Sequence, residues 1–306
     1  MDQLKRIIID TDIGSDPDDS VALALAMQSP EIIIEGITTV YGDVDLRARL
    51  AQKMLRLGGQ PNIPIYTGIS PSLLRNREVW WGGHEGEGVL EGGEATESAG
   101  HAVDFIIDLI MKNPGQITLV AIGPLANIAA ALIREPAIAQ HVKEILMMGG
   151  VTRLGKNGAG LPVLEHNIKC DPEAASVVFS SGAPIVMVGL DVTMNVNIQR
   201  AQVDQLGRSN QPLNQAVSNM LDRWLTICQR DYTAMHDPLA ISHLIDPLIF
   251  EKERMNITVE YDLRHPSGMT VAVPSATGNV EVCLGVDENR FIQLLMTRLL
   301  GVEHAL

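Results

Sequence analysis

The sequence predicts an α/β protein: a mainly parallel central sheet flanked by helices, with added antiparallel strands near the C-terminus. Three observations lead there. Short, uncharged, β-branched runs alternate with helical patterns along most of the 306 residues, which is the pattern of a parallel sheet covered on both faces. The aspartates Asp10, Asp12, Asp16, Asp18 and Asp19 crowd the end of the first apolar run, and open α/β sheets bind ligands beyond the carboxyl ends of their strands. Met255 to Leu284 reads as antiparallel strands joined to that core.

In chain order, Ile7 to Ile9 is β-branched, uncharged and short, the mark of a buried strand. Ile32 to Val40, Ile117 to Ile122, Glu144 to Met148 and Pro184 to Gly189 read the same way. Ser20 to Met27, Leu46 to Leu57, Ala102 to Met111, Leu125 to Ile133 and Glu173 to Phe179 carry helical patterns, as does Leu239 to Leu244. Asp171-Pro172 opens one of these as a cap with proline at the first helical position. A last helix is expected near Glu288 to Leu300. No repeat, low-complexity linker or composition break divides the chain, so residues 1–306 are read as a single domain.

Composition narrows the function. An apolar fraction of 46% supplies a large core, and no run approaches the ~18 apolar residues of a membrane helix. A net charge of −14 argues against a nucleic-acid backbone as partner. Cys170, Cys228 and Cys283 are far apart and odd in number, with no disulfide or zinc spacing. They fit a reducing cytoplasm, and the start of the chain shows no secretory apolar segment.

Clustered carboxylates repel unless something positive binds them, and oxygen-rich clusters suit hard cations such as Ca²⁺ or Mg²⁺. An EF-hand counted from Asp10 fails, because Gly14, Ser15 and Val21 fall at its fifth, sixth and twelfth positions. A phosphatase of the haloacid-dehalogenase type, with Asp10 as nucleophile and Mg²⁺ as cofactor, shares the strand and Asp-x-Asp opening. It lacks its usual residue at Gly14 and its later acidic loop. A divalent-metal hydrolase completed by distant loops also fits. Two distant elements qualify: Glu165-His166-Asn167, a carboxylate and an amide on one side if the segment is extended, and Met235-His236-Asp237-Pro238. Gly82 to Gly88 is a glycine-rich loop holding His84, with Trp80 and Trp81 beside it.

Taken in order, these segments resemble the inosine–uridine-preferring nucleoside hydrolases. The resemblance rests on Ile8-Ile9-Asp10-Thr11-Asp12 with Asp18-Asp19, Ile37-Thr38-Thr39-Val40, Gly123-Pro124-Leu125-Ala126-Asn127, Met148-Gly149-Gly150, Glu165-His166-Asn167, Asp171-Pro172-Glu173 and His236-Asp237-Pro238. It implies a Ca²⁺-dependent enzyme that splits ribonucleosides into ribose and free base, working as a homodimer or homotetramer. It implies Asp12, Asp19, the main-chain carbonyl of Ile122 and Asp237 as metal ligands, with Asp12 also the base that activates a metal-bound water. Asp18, Asp43, Met148, Glu165 and Asn167 would contact the ribose. His236 would protonate the departing base, with His84, His166 and Trp81 on the base side.

The chain departs from the family in places. Ile13 replaces proline, and two extra residues, with Asp16 among them, precede Asp18-Asp19. Asp16 is therefore an alternative to Asp18. Asp43 and His166 stand where many members have Asn and an aromatic, and Ala159 where a 5′-hydroxyl contact is usual. Trp224 and Tyr232 are further candidates to meet the base. A non-catalytic nucleoside- or ribose-binding protein that kept the pocket is the reading from a different class.

Overall fold

The structure, a computed structural model, describes residues 4–90, 98–262 and 266–301, with the side chain of Ala159 outside what it describes. β1 (Lys5–Thr11) runs through the middle of the sheet. Its residues alternate between faces, as a pleated strand requires: Ile7 and Ile9 enter one hydrophobic core and Ile8 the other. All three are essentially solvent-free, and such burial is worth about 1.5–3 kcal/mol per side chain. α1 (Asp18–Met27), β2 (Ile32–Thr39), α2 (Val44–Leu57) and β3 (Ile65–Thr67) carry the chain outward on one side of β1.

The chain returns through α3 (Ala102–Lys112) to β4 (Ile117–Ala121), on the other flank of β1. Then follow α4 (Ala126–Arg134), α5 (Ile138–His141), β5 (Glu144–Met148), α6 (His166–Cys170), α7 (Pro172–Ser180) and β6 (Ile185–Val188). Growth on one side of β1 and then on the other makes the gap between β1 and β4 a topological switch point, where open α/β sheets leave a crevice. The ladder even continues past the strand ends, with Val40 N donating to Thr11 O at 3.1 Å and Ile122 N to Asp10 O at 2.8 Å.

Next come α8 (Leu190–Thr193), β7 (Asn197–Gln199), α9 (Arg200–Gly207), α10 (Pro212–Cys228), β8 (Tyr232–Ala234) and α11 (His236–Ile245). β7 and β8 form a small antiparallel ribbon of their own. The remaining elements are β9 (Phe250–Val259), β10 (Thr270–Pro274), β11 (Val280–Val286) and α12 (Glu288–Leu300). The nine-stranded order is β10-β9-β11-β6-β5-β4-β1-β2-β3, antiparallel only where β9 meets β10 and β11. The expected added strands are there, and β11 also continues the parallel sheet against β6. No helix among the described residues is long and apolar enough to cross a membrane.

Asp171 caps α7 through a 3.1 Å bond from Ala174 N, with Pro172 at the first turn, as the sequence predicted. Asp43 likewise caps α2, its carboxylate accepting from Leu46 N at 2.9 Å.

Candidate active site

A cavity of about 290 Å³ opens at the C-terminal ends of β1 and β4. The loop between β1 and α1 brings Asp12 and Asp16 to it, and the first turn of α1 brings Asp18 and Asp19. Ile122, just beyond β4, and Asp237, in the first turn of α11, meet them there. Glycine at 123 allows the close approach: a Cβ there would lie 2.8 Å from the Asp12 nitrogen and 2.9 Å from its Oδ1. Real Cβ atoms do not approach so closely, so Gly123→Ala would push the aspartate loop away from β4.

Short local bonds fix the loop. Thr11 Oγ1 donates to Asp19 Oδ1 and accepts from Ile13 N at 3.0 Å. Asp18 Oδ2 accepts from Asp237 N at 3.1 Å, tying the two acidic segments together. Glu165, Asn167 and Met148 form another part of the wall. The Glu165 carboxylate accepts from Gly150 N at 2.9 Å, Asn167 N at 2.8 Å and Ile168 N at 3.0 Å, so its orientation is fixed. Asn167 Nδ2 donates to Ile122 O at 3.3 Å and Met148 O at 3.2 Å. The Ile122 carbonyl keeps a second lone pair for another partner. Glu165 and Asn167 share the cavity because Glu165 caps α6, not because the segment is extended.

His236 stands across the cavity, where its Nδ1 meets Thr193 Oγ1 at 2.8 Å. With the hydroxyl donating, the ring proton belongs on Nε2. Burial lowers the pKa of His236 against the opposing pull of Asp16 and Glu165, which favours neutral imidazole. His166 lines the cavity and packs edge-on against Trp80, with ring centroids 5.5 Å apart.

Burial raises Asp16, Asp19 and Asp237 well above the usual carboxylate range and Asp18 to about 6; the charges of neighbouring carboxylates push in the same direction, while a hydrogen bond with Asp16 holds Asp18 back. Among the described residues, no Lys or Arg is ion-paired to this cluster. Oxygens of Asp16, Asp18 and Asp19 lie within 4.8 Å of one another, so the cluster itself offers oxygen ligands alone. Such a set fits a hard divalent cation, which would favour the ionised form of each carboxylate. The triad already drawn together includes Asp16, whereas the sequence pointed to Asp12, Asp19, Asp237 and the Ile122 carbonyl; all of these face the same cavity.

Several of the residues singled out in the sequence lie outside the cavity wall. Trp80, 50% exposed, and Trp224 stand in the cavity wall, while Trp81 turns away and covers the guanidinium of Arg47 at 5.0 Å. Adjacent residues in an extended segment face opposite ways, and Trp81 is captured by the buried cation. His84 sits outside the wall, its Nε2 at 2.8 Å from Ser15 O and its ring against Trp224. Asp43 is outside the wall as well, engaged as the cap of α2. Asp10 is fully buried and accepts from Asn127 Nδ2 at 2.8 Å and from Thr38 Oγ1, with its pKa pushed up to about 7 by burial. A carboxylate enclosed in this way reaches no phosphate, so the reading of Asp10 as a phosphatase nucleophile fails. Sequence reasoning missed Thr193, the partner of His236, and Arg47.

A buried, oxygen-only acidic cluster at the switch point of an α/β sheet, facing a fixed carboxylate–amide pair and a histidine, defines a class: a hydrolase acting on polyhydroxylated substrates. The family is more specific. The sequence pattern of the inosine-uridine preferring nucleoside hydrolases matches residues 7–293. The pyrimidine-specific ribonucleoside hydrolase RihA of Salmonella schwarzengrund is 33% identical over 309 residues, covering 96% of this chain and 97% of its own. A plant nucleoside hydrolase superposes with a TM-score of 0.87 at 28% identity, covering 97% of this chain and 99% of its own. The purine-preferring ribonucleoside hydrolase from Gardnerella vaginalis gives 0.83 at 30% identity, with 99% and 100% coverage. The chain belongs to the inosine-uridine preferring nucleoside hydrolase family, and is an N-ribohydrolase.

Proposed function

We propose that this enzyme hydrolyses the N-glycosidic bond of ribonucleosides with Ca²⁺ as its cofactor, releasing ribose and free base. The observation that carries the reading is the convergence in one cavity of the acidic cluster, the Glu165–Asn167 pair and His236. Asp12, Asp19, Asp237 and the Ile122 carbonyl would hold the ion, with Asp16 or Asp18 beside them. A bound Ca²⁺ supplies a more acidic water and two positions for the ribose diol. Asp12 takes the proton from the attacking water. Asp18 stabilises the positive charge that develops on the sugar as the bond breaks. Glu165 and Asn167, locked by their main-chain bonds, orient the sugar hydroxyls, and Met148 packs beside them. His236, in its imidazolium form, gives the Nε2 proton to the departing nitrogen and is left as the neutral imidazole that its burial favours. His166 and Trp80 meet the base. The protein works in the cytoplasm as a homodimer or homotetramer in this reading.

The test is release of base and reducing sugar from uridine, inosine, adenosine, cytidine and 2′-deoxyuridine, with and without chelator. Ribonucleosides should be cleaved and the deoxynucleoside spared, because it lacks one of the two diol oxygens. Asp12→Asn should lower kcat by about 10²-fold or more. Equal turnover of uridine and 2′-deoxyuridine, or near-full activity of Asp12→Asn, would sink the assignment. Nucleoside binding without any base released would favour a binding protein.

A further inference from the structure

Arg47 is fully buried on α2, and among the described residues none of its hydrogen bonds goes to a carboxylate. Its Nε donates to Tyr41 O at 2.6 Å, Nη1 to the carbonyls of Asp12 and, at 3.0 Å, Ile13, and Nη2 to Ser15 Oγ at 3.1 Å. Trp81 covers the guanidinium and lies against Gly42, where a Cβ would be 2.5 Å from the indole. Tyr41, held by Arg47 through its carbonyl, accepts at its hydroxyl from Trp80 N at 2.7 Å. One guanidinium thus gathers the acidic loop, the turn after β2 and the tryptophan pair. A buried charge is costly unless fully satisfied, and here three of the four acceptors belong to the acidic loop.

We propose that Arg47 is a positioning residue: its planar fork fixes the loop at Asp12, Ile13 and Ser15 and so presets the aspartates for the divalent cation. The proposal rests on the reading of the cluster as a cation site. Charge and position pull in opposite directions. As a charge alone, Arg47 repels a cation, and Arg47→Met would tighten Ca²⁺ binding. As the clamp on the loop, its loss releases the aspartates and weakens binding. We infer that position dominates, because the fork holds two main-chain carbonyls, of Asp12 and Ile13, and the Ser15 hydroxyl in the segment that bears the ligands. Lysine keeps the charge but lacks the fork.

The experiment is calorimetric titration of Ca²⁺ into chelator-treated wild type, Arg47→Met, Arg47→Lys and Trp81→Leu, each checked for fold by circular dichroism. The expected Kd is about tenfold weaker or more in Arg47→Met, weaker in Arg47→Lys, and a few-fold weaker in Trp81→Leu, which keeps the fork but loses its cover. Equal or tighter Kd in a folded Arg47 variant overturns the proposal and leaves the cation site standing. If the Arg47 variants do not fold, an unchanged Kd in Trp81→Leu overturns it. Wild type that binds no Ca²⁺ overturns the site reading, and the proposal with it. A merely structural arginine would lower the Tm of chelated and loaded protein equally and leave Kd unmoved.

Discussion

Removing the cation should reverse the pH dependence of stability, and the acidic cluster sets the size of the effect. Asp18 is 4% exposed, and its pKa rises from 3.8 to about 6 when no cation is present. A folded-state pKa above the unfolded value means that the native state holds the proton longer. Stability from this group is therefore present at low pH and is lost as pH rises through about 6. At about 1.4 kcal/mol per tenfold change, the full loss from Asp18 is about 3 kcal/mol, of which about 2 kcal/mol falls between about pH 4.5 and 7. Asp16, Asp19 and Asp237 shift in the same direction. A bound divalent cation favours their ionised forms and removes the penalty. The assay is Tm against pH for chelated and Ca²⁺-loaded protein, and the quantity read is the gap between the two curves, which cancels titrations elsewhere. For 306 residues, about 2 kcal/mol is about 3 °C, so the gap should widen by at least about 3 °C from about pH 4.5 to 7. Parallel curves would refute the reasoning, since protons and cation would then not compete for these oxygens.

Two further outcomes follow from neighbouring residues. Trp80→Ala should raise KM for nucleosides about tenfold with little change in kcat, as loss of a stacking face worth about 1–3 kcal/mol would do, whereas Trp81→Ala should act mainly on Tm; steady-state kinetics and melting of the two variants side by side would expose a swapped assignment. Asn127 donates to Asp10 Oδ1 and Thr39 O in buried surroundings and accepts from Ile69 N at 2.8 Å in a partly buried one. Asn127→Leu should cost about 3 kcal/mol in urea unfolding by stranding those groups, and a loss below about 1 kcal/mol would show that water or a shifted loop replaces the amide.

How far the sequence reveals the site depends on the range over which each feature is determined. β1 and the acidic loop were legible because both are local: three β-branched residues form a strand, and carboxylates at its end mark the carboxyl edge of the sheet. Glu165, Asn167, His236 and Asp237 were legible through ordered motifs, and the structure brings them to the cavity that holds Asp12. Asp43 carried two meanings in sequence, a hydrogen-bonding group after a strand and an acid just before a helix. The second is its place in the structure, and the helix-start signal was readable there. The three-residue strands β7 and β8 carry too few residues for periodicity to register, so the ribbon beside His236 went unread. The two tryptophans could not be told apart, because which of them faces the cavity is decided by Arg47, four residues after Asp43 on an otherwise amphipathic helix. An arginine in such a pattern reads as solvated surface. Only the tertiary fold shows it buried under the loop that carries the aspartates, where three of its four acceptors are main-chain carbonyls that no side-chain motif records.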